Sequence, residues 1–135
     1  MTEASNTAYD TVSDASFTAR KFLIVEDEAV IAIDIENFLV GCGHEVLDAA
    51  ATVQQAIEKI GKMHDKIDGV ILDVNLRGES SRPVADALEA RNVPYVVTSA
   101  YSGASADAYG FKSVDVRKPF SDSELGEAIS RIVGA

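Results

Sequence analysis

From Lys21 onward, short apolar runs alternate with longer stretches in which apolar residues return every three or four positions. Phe22-Leu23-Ile24-Val25, Val70-Ile71-Leu72 and Tyr95-Val96-Val97 lack alternating polar residues, which predicts strands covered on both faces. Residues 44–48 and 112–116 mix apolar with polar side chains, as strands at a sheet edge do. Between these runs lie helical stripes: Ile31, Ile35, Phe38 and Leu39; Val53, Ala56, Ile57 and Ile60; Val84, Ala87 and Leu88; Leu125, Ile129, Ile132 and Val133. Thr52 with Gln55 and Ser121 with Glu124 have capping-box spacing, which marks two helix starts. Residues 102–109, rich in Ala and Ser without a clear stripe, carry the remaining predicted helix.

Five strands alternating with five helices predict an α/β domain: a flavodoxin-like doubly wound, five-stranded parallel sheet in the order 2-1-3-4-5. The first 20 or so residues are dominated by Thr, Ser, Ala and Asp and are expected to form a flexible tail, leaving 21–135 as one domain. A length of 135 residues suits a single core, and 47% hydrophobic with 25% charged residues is the balance of a soluble globular protein. Twelve basic against 22 acidic side chains give a net charge of −10, which disfavours nucleic acid and anionic lipid as direct ligands. Cys42, the only cysteine, lies in Gly41-Cys42-Gly43, a helix-ending turn, and calls for no oxidising compartment. With no run near the length of a membrane span and no basic, apolar start, the cytoplasm is the expected location.

The candidate chemistry gathers where strands should end. Glu26-Asp27 follows the first strand, Asp73 the third, Ser99 the fourth and Lys118-Pro119 the fifth. The carboxyl ends of parallel strands share one crevice, so these groups should meet. Any one of these acids alone would ordinarily cap a loop or helix. Together, Glu26, Asp27 and Asp73 would repel one another, and a divalent cation with hard oxygen ligands relieves that repulsion. Mg²⁺ suits such a set, with the backbone carbonyl of Asn75 as a further ligand. A cis bond at Lys118-Pro119 could aim the amine into the crevice. Thr98 and Ser99 both carry hydroxyls, but alternation lets only one face the site, and periodicity does not choose between them.

These residues resemble the receiver domains of two-component response regulators. The resemblance covers residues 21–133 and rests on four motifs in order: Leu23-Ile24-Val25-Glu26-Asp27-Glu28, Val70-Ile71-Leu72-Asp73-Val74-Asn75-Leu76, Val93-Pro94 leading to Thr98-Ser99-Ala100, and Lys118-Pro119-Phe120. It implies that Asp73 is the phosphoacceptor, that Glu26 and Asp27 hold Mg²⁺, that Lys118 contacts the phosphoryl group, and that Ser99, counted from Pro94, senses it. Asn75-Leu76-Arg77-Gly78-Glu79 and Ala100-Tyr101 are similar to the receiver subgroup named for its FATGUY motif, although that motif's Phe-Ala-Thr-Gly is here Val97-Thr98-Ser99-Ala100. Receivers commonly carry an aromatic switch residue three positions before the lysine. Here that position is Asp115, and Tyr101 is the alternative mobile aromatic.

The expected function is a phosphorylation-dependent relay. A histidine kinase or histidine phosphotransfer protein would load Asp73, and hydrolysis would reset it, with the Asn75 side chain either placing the water or capping its loop. The fifth helix runs to Val133, so output is expected through protein contact with an effector or onward transfer. Enzymatic turnover on other substrates is not expected. One competing reading is an aspartyl phosphatase of the haloacid dehalogenase type, which wants a second Asp where Asn75 stands; another is a pseudo-receiver that takes no phosphate. His44 and His64 are read as surface residues.

Overall fold

The computed structural model describes residues 17–100, 110–111 and 113–133. Five parallel strands, β1 (Lys21–Val25), β2 (Glu45–Ala50), β3 (Gly69–Asp73), β6 (Tyr95–Ser99) and β7 (Val114–Arg117), form a sheet in the order β2-β1-β3-β6-β7, the predicted topology. A two-stranded antiparallel hairpin, β4 (Asn75–Leu76) with β5 (Glu79–Ser80), follows β3. Four α-helices are described: α1 (Ala29–Gly41), α2 (Val53–Met63), α3 (Arg82–Ala90) and α4 (Asp122–Val133). The helix predicted over 102–109 lies outside the described residues, so α4 is the last of the five predicted.

Strand alternation divides the core in two. Leu23, Val25, Val70, Leu72, Tyr95 and Val97 pack on α2 and α3 through Val53, Ala56, Ile60, Val84, Ala85 and Leu88. The intervening residues Phe22, Ile24, Ile71, Val96 and Val116 meet Ile35, Leu39, Leu125, Ala128 and Ile129 of α1 and α4. β1, β3 and β6 are therefore covered on both faces, which is why they read as unbroken apolar runs.

The helix termini behave as their sequences dictate. Ser121 and Glu124 exchange backbone and side-chain hydrogen bonds at 2.8 and 3.1 Å, a reciprocal capping box. Thr52 Oγ1 accepts from Gln55 N, while Gln55 Oε1 reaches past it to Ala51 N. At the end of α1, Gly43 takes a φ of +92° and donates to Val40 O, which closes the expected turn around Cys42.

Several boundaries differ from the sequence reading. β2 begins at Glu45 and runs to Ala50: β1 pairs along it as far as Val25 with Ala50, and a register shift between Phe22 and Leu23 adds one residue to its length. His44 stands before the strand, its ring against Phe17 and Phe22 and its Nδ1 accepting from Arg20 N. Residues 17–20 thus contact the fold, whereas 1–16 of the expected tail lie outside the described residues. β7 spans Val114–Arg117, shifted toward Lys118. Ile57, placed on the apolar stripe of α2, is exposed, and Ala85 of α3 is buried in addition to Val84 and Leu88. α1 is apolar around much of its circumference and leaves Val30, Ile33 and Val40 in solvent. Among the described residues no helix is long and apolar enough to cross a membrane.

Candidate functional site

Two strand ends deliver the three acids. β1 terminates before Glu26, a residue only 4% exposed whose amide donates to Ala50 O. Glu26 Oε2 accepts from Glu28 N at 3.1 Å, which folds the chain back toward the start of α1. β3 terminates at Asp73, 5% exposed, whose Oδ1 accepts from Asn75 N at 3.1 Å. Asp27 Oδ2 accepts from Arg77 N at 3.0 Å, in the turn of the β4–β5 hairpin. Oxygen atoms of Glu26, Asp27 and Asp73 lie within 4.8 Å of one another, the convergence expected from the strand order.

The amine arrives from β7. Lys118 N donates to Ser99 O, and the Lys118-Pro119 peptide is cis. Lys118 Nζ stands 2.9 Å from Asp73 Oδ2 and 2.9 Å from Glu26 Oε1, with Glu28 Oε1 at 4.0 Å. Burial pushes the Glu26 carboxyl up to about 7; the hydrogen bond from Lys118 opposes this and the charge of Asp73 adds to it. Burial also acts on Asp27, but hydrogen bonds, led by the one from Arg77 N, hold its carboxyl below the usual value. Desolvation would lower Lys118, yet its bonds to Asp73 and Glu26 outweigh it and hold the amine above its ordinary value.

The site suits a small hard cation: three carboxylates converge, one with a pKa raised by burial and by an adjacent negative charge, which a divalent ion would reverse. Glu26, Asp27 and Asp73 would supply its protein oxygens. The Asn75 side chain is occupied, since its Oδ1 accepts from Gly78 N at 2.8 Å and caps the hairpin turn.

The two hydroxyls have different surroundings. Thr98 is the register partner of Asp73 and shares its face of the sheet, yet Thr98 Oγ1 is buried and finds no hydrogen-bond partner among the described residues. Ser99 is on the opposite face and donates to Asp115 Oδ1 at 2.9 Å. The structure therefore brings Glu26, Asp27, Asp73 and Lys118 together and ties Ser99 to Asp115. Tyr101 lies outside the described residues.

Two contributors escaped the sequence reading. Ser81 Oγ, wholly buried, donates to Asp73 O at 2.5 Å and fixes the backbone of the acid. A Ser just before the Arg82-Pro83 helix start reads as an N-cap, but Ser81 makes no side-chain capping bond. The second is the hairpin turn, where Arg77 and Gly78 have φ of 54° and 84°, the conformation of a tight two-residue turn. The Arg-Gly pair was its only sequence signal.

A doubly wound parallel sheet ending in three acids, two of them bridged by a lysine, belongs to the class of α/β domains that work at the carboxyl ends of their strands. No family model matches the chain. The solution structure of SdrG from Sphingomonas melonis Fr1 is 36% identical, with a TM-score of 0.75 over 85% of this chain and 97% of that one. The PhyR response regulator REC domain of Erythrobacter litoralis is 30% identical, with a TM-score of 0.71 over 86% of this chain and 91% of that one. The chain belongs to the receiver domains of response regulators. Among curated proteins, the transcriptional regulatory protein PdtaR of Mycobacterium tuberculosis is 34% identical over 84% of this chain, which spans 57% of the length of that relative.

Proposed function

We propose that Asp73 accepts a phosphoryl group from a phosphohistidine of a histidine kinase or histidine phosphotransfer protein in a Mg²⁺-dependent reaction. The observation that carries this reading is the position of Lys118 Nζ, 2.9 Å from both Asp73 and Glu26, beside three converging carboxylates. In the transfer, an Asp73 carboxylate oxygen attacks phosphorus in line, the P–N bond breaks, and its electron pair returns to the imidazole. Bound Mg²⁺ would neutralise charge on the phosphoryl oxygens, held by Glu26, Asp27, Asp73 and the Asn75 carbonyl.

The remaining work falls to the chain itself. Asn75 N–H and Ser81 Oγ–H fix Asp73 through its Oδ1 and its carbonyl, so the acid meets the donor with little reorganisation. Lys118, already bonded to Asp73, donates to a phosphoryl oxygen after transfer. Ser99, the last residue of β6, turns over the carboxyl edge of the sheet to the same group and shifts the surface formed by β7 and α4, with Tyr101 as the aromatic switch. Hydrolysis restores the resting form. Output passes by phosphorylation-dependent contact with an effector or by onward transfer, in the cytoplasm.

Intact-mass measurement after incubation with Mg²⁺ and a small acyl phosphate or phosphoramidate tests the proposal. One phosphoryl adduct should form on the wild type, vanish in Asp73→Ala and fall sharply in excess chelator. An adduct that persists in Asp73→Ala would exclude Asp73 as the acceptor. Multiple turnovers on phosphomonoesters would instead favour the phosphatase reading.

A further inference from the structure

The Ser99 hydroxyl has one proton to donate, and in this structure it goes to Asp115. The two side chains meet because of the register: Val97 pairs with Asp115 and Ser99 with Arg117, so Asp115 and Ser99 occupy the same face on neighbouring strands, offset by two residues. Tyr95 and Val97 confirm that face, since both pack on the α2 and α3 side. Asp73 instead pairs with Thr98, whose face is that of Val96 and Val116. Ser99 is wholly buried, so its hydroxyl cannot turn to water as an alternative to Asp115.

We propose that Asp115 is a positioning residue that holds the Ser99 hydroxyl away from the phosphoacceptor until a phosphoryl group on Asp73 competes for it. The inference rests on the reading of Asp73 as phosphoacceptor and Ser99 as the group that contacts the phosphoryl oxygens. It adds a cost to activation that an apolar or aromatic residue at position 115 would not impose, because only a hydrogen-bond acceptor can compete for that O–H. A hydrogen bond to a charged acceptor, here partly buried, biases such a competition by about ten- to a hundredfold. Phosphorylation must exceed that bias for Ser99 to swing. When it does, the Asp115 carboxylate gives up its bond to Ser99, so the movement of one hydroxyl is transmitted to the edge strand β7.

The test is the affinity of the Mg²⁺-loaded protein for beryllofluoride, a phosphoryl analogue that would bind at Asp73, measured by fluorine NMR. Asp115→Ala should tighten binding by about ten- to a hundredfold. Asp115→Asn, which keeps the shape and a neutral acceptor, should tighten it less, and it carries the comparison should the alanine variant fail to fold. In a Ser99→Ala background the same Asp115 substitutions should leave the affinity unchanged, since the hydroxyl they release is gone. Unaltered or weakened binding in the presence of Ser99, or equal tightening without it, would overturn the role of Asp115 while leaving Asp73 as acceptor intact. A wild type that binds no beryllofluoride, or an Asp73→Ala variant that still binds it, would overturn the phosphoacceptor reading and this inference with it.

Discussion

Replacing Glu26 by Gln tests the electrostatics of the site at its most buried acid. Burial moves the Glu26 carboxyl from 4.5 to about 7, against the pull of Lys118 and with the push of Asp73. A carboxyl raised in the folded state adds stability that is fully present below its unfolded value and is lost as pH climbs through the folded value. The window therefore runs from about 4.5 to about 7, and the loss across it is roughly 3 kcal/mol. Gln keeps the shape of the protonated acid and does not titrate. In urea unfolding without Mg²⁺, the wild type should lose roughly 3 kcal/mol relative to Glu26→Gln between about pH 4.5 and about pH 8.

His44, whose pKa burial lowers, titrates in both proteins and cancels in the difference. Bound Mg²⁺ favours the ionised acid, so saturating metal should flatten the curve. The apparent Mg²⁺ affinity of the wild type should fall toward tenfold for each pH unit below about 7. A wild-type-minus-variant difference that stays constant across the window would refute the assignment of a raised pKa to Glu26, and with it the electrostatic account of the site.

Three further substitutions probe the site's construction. Lys118→Met leaves Glu26 and Asp73 without their shared cation and should cost about 3 kcal/mol near pH 8 by urea unfolding, with a smaller loss near pH 6 where Glu26 holds a proton; equal losses at both would contradict the coupling. Thr98→Val removes a buried hydroxyl with no partner among the described residues and should raise the melting temperature, corresponding to about 1 kcal/mol; a loss of that size would show that the hydroxyl is satisfied. Gly78→Ala forces a side chain into a φ of +84° and should cost about 1 kcal/mol in urea while weakening Mg²⁺ binding, because the strained turn carries the Arg77 N–H that holds Asp27. Unchanged metal affinity would separate the turn from the site.

Strand order and the meeting of Glu26, Asp27, Asp73 and Lys118 were legible because both follow from where apolar runs stop. A run buried on both faces announces its own end, and a parallel sheet brings such ends together. Side-chain direction at the last residue was harder to read. Thr98 and Ser99 have similar polarity, and only the register of β6 against β3 and β7 shows that Thr98 lies beside Asp73 while Ser99 faces Asp115. The pairing of Ser99 with Asp115 joins positions 16 residues apart, and no local pattern encodes it. β2 was found, but its end was read at Asp48, two residues short of Ala50, because Asp48 is a charged strand residue that pairs with Lys59 of α2 at 2.6 Å. Ser81 escaped for a similar reason, since a Ser before a Pro-containing helix start looks like a cap whatever it bonds.

The central claim, that Asp73 is the nucleophile in this acidic pocket, is tested most directly by chemical trapping. Borohydride reduces an acyl phosphate on aspartate to homoserine, which peptide mass spectrometry locates by residue. After exposure to Mg²⁺ and a phosphoryl donor, the account predicts homoserine at position 73 and at no other acid. Reduction at position 27 or 115, or the same yield in excess chelator, would contradict it.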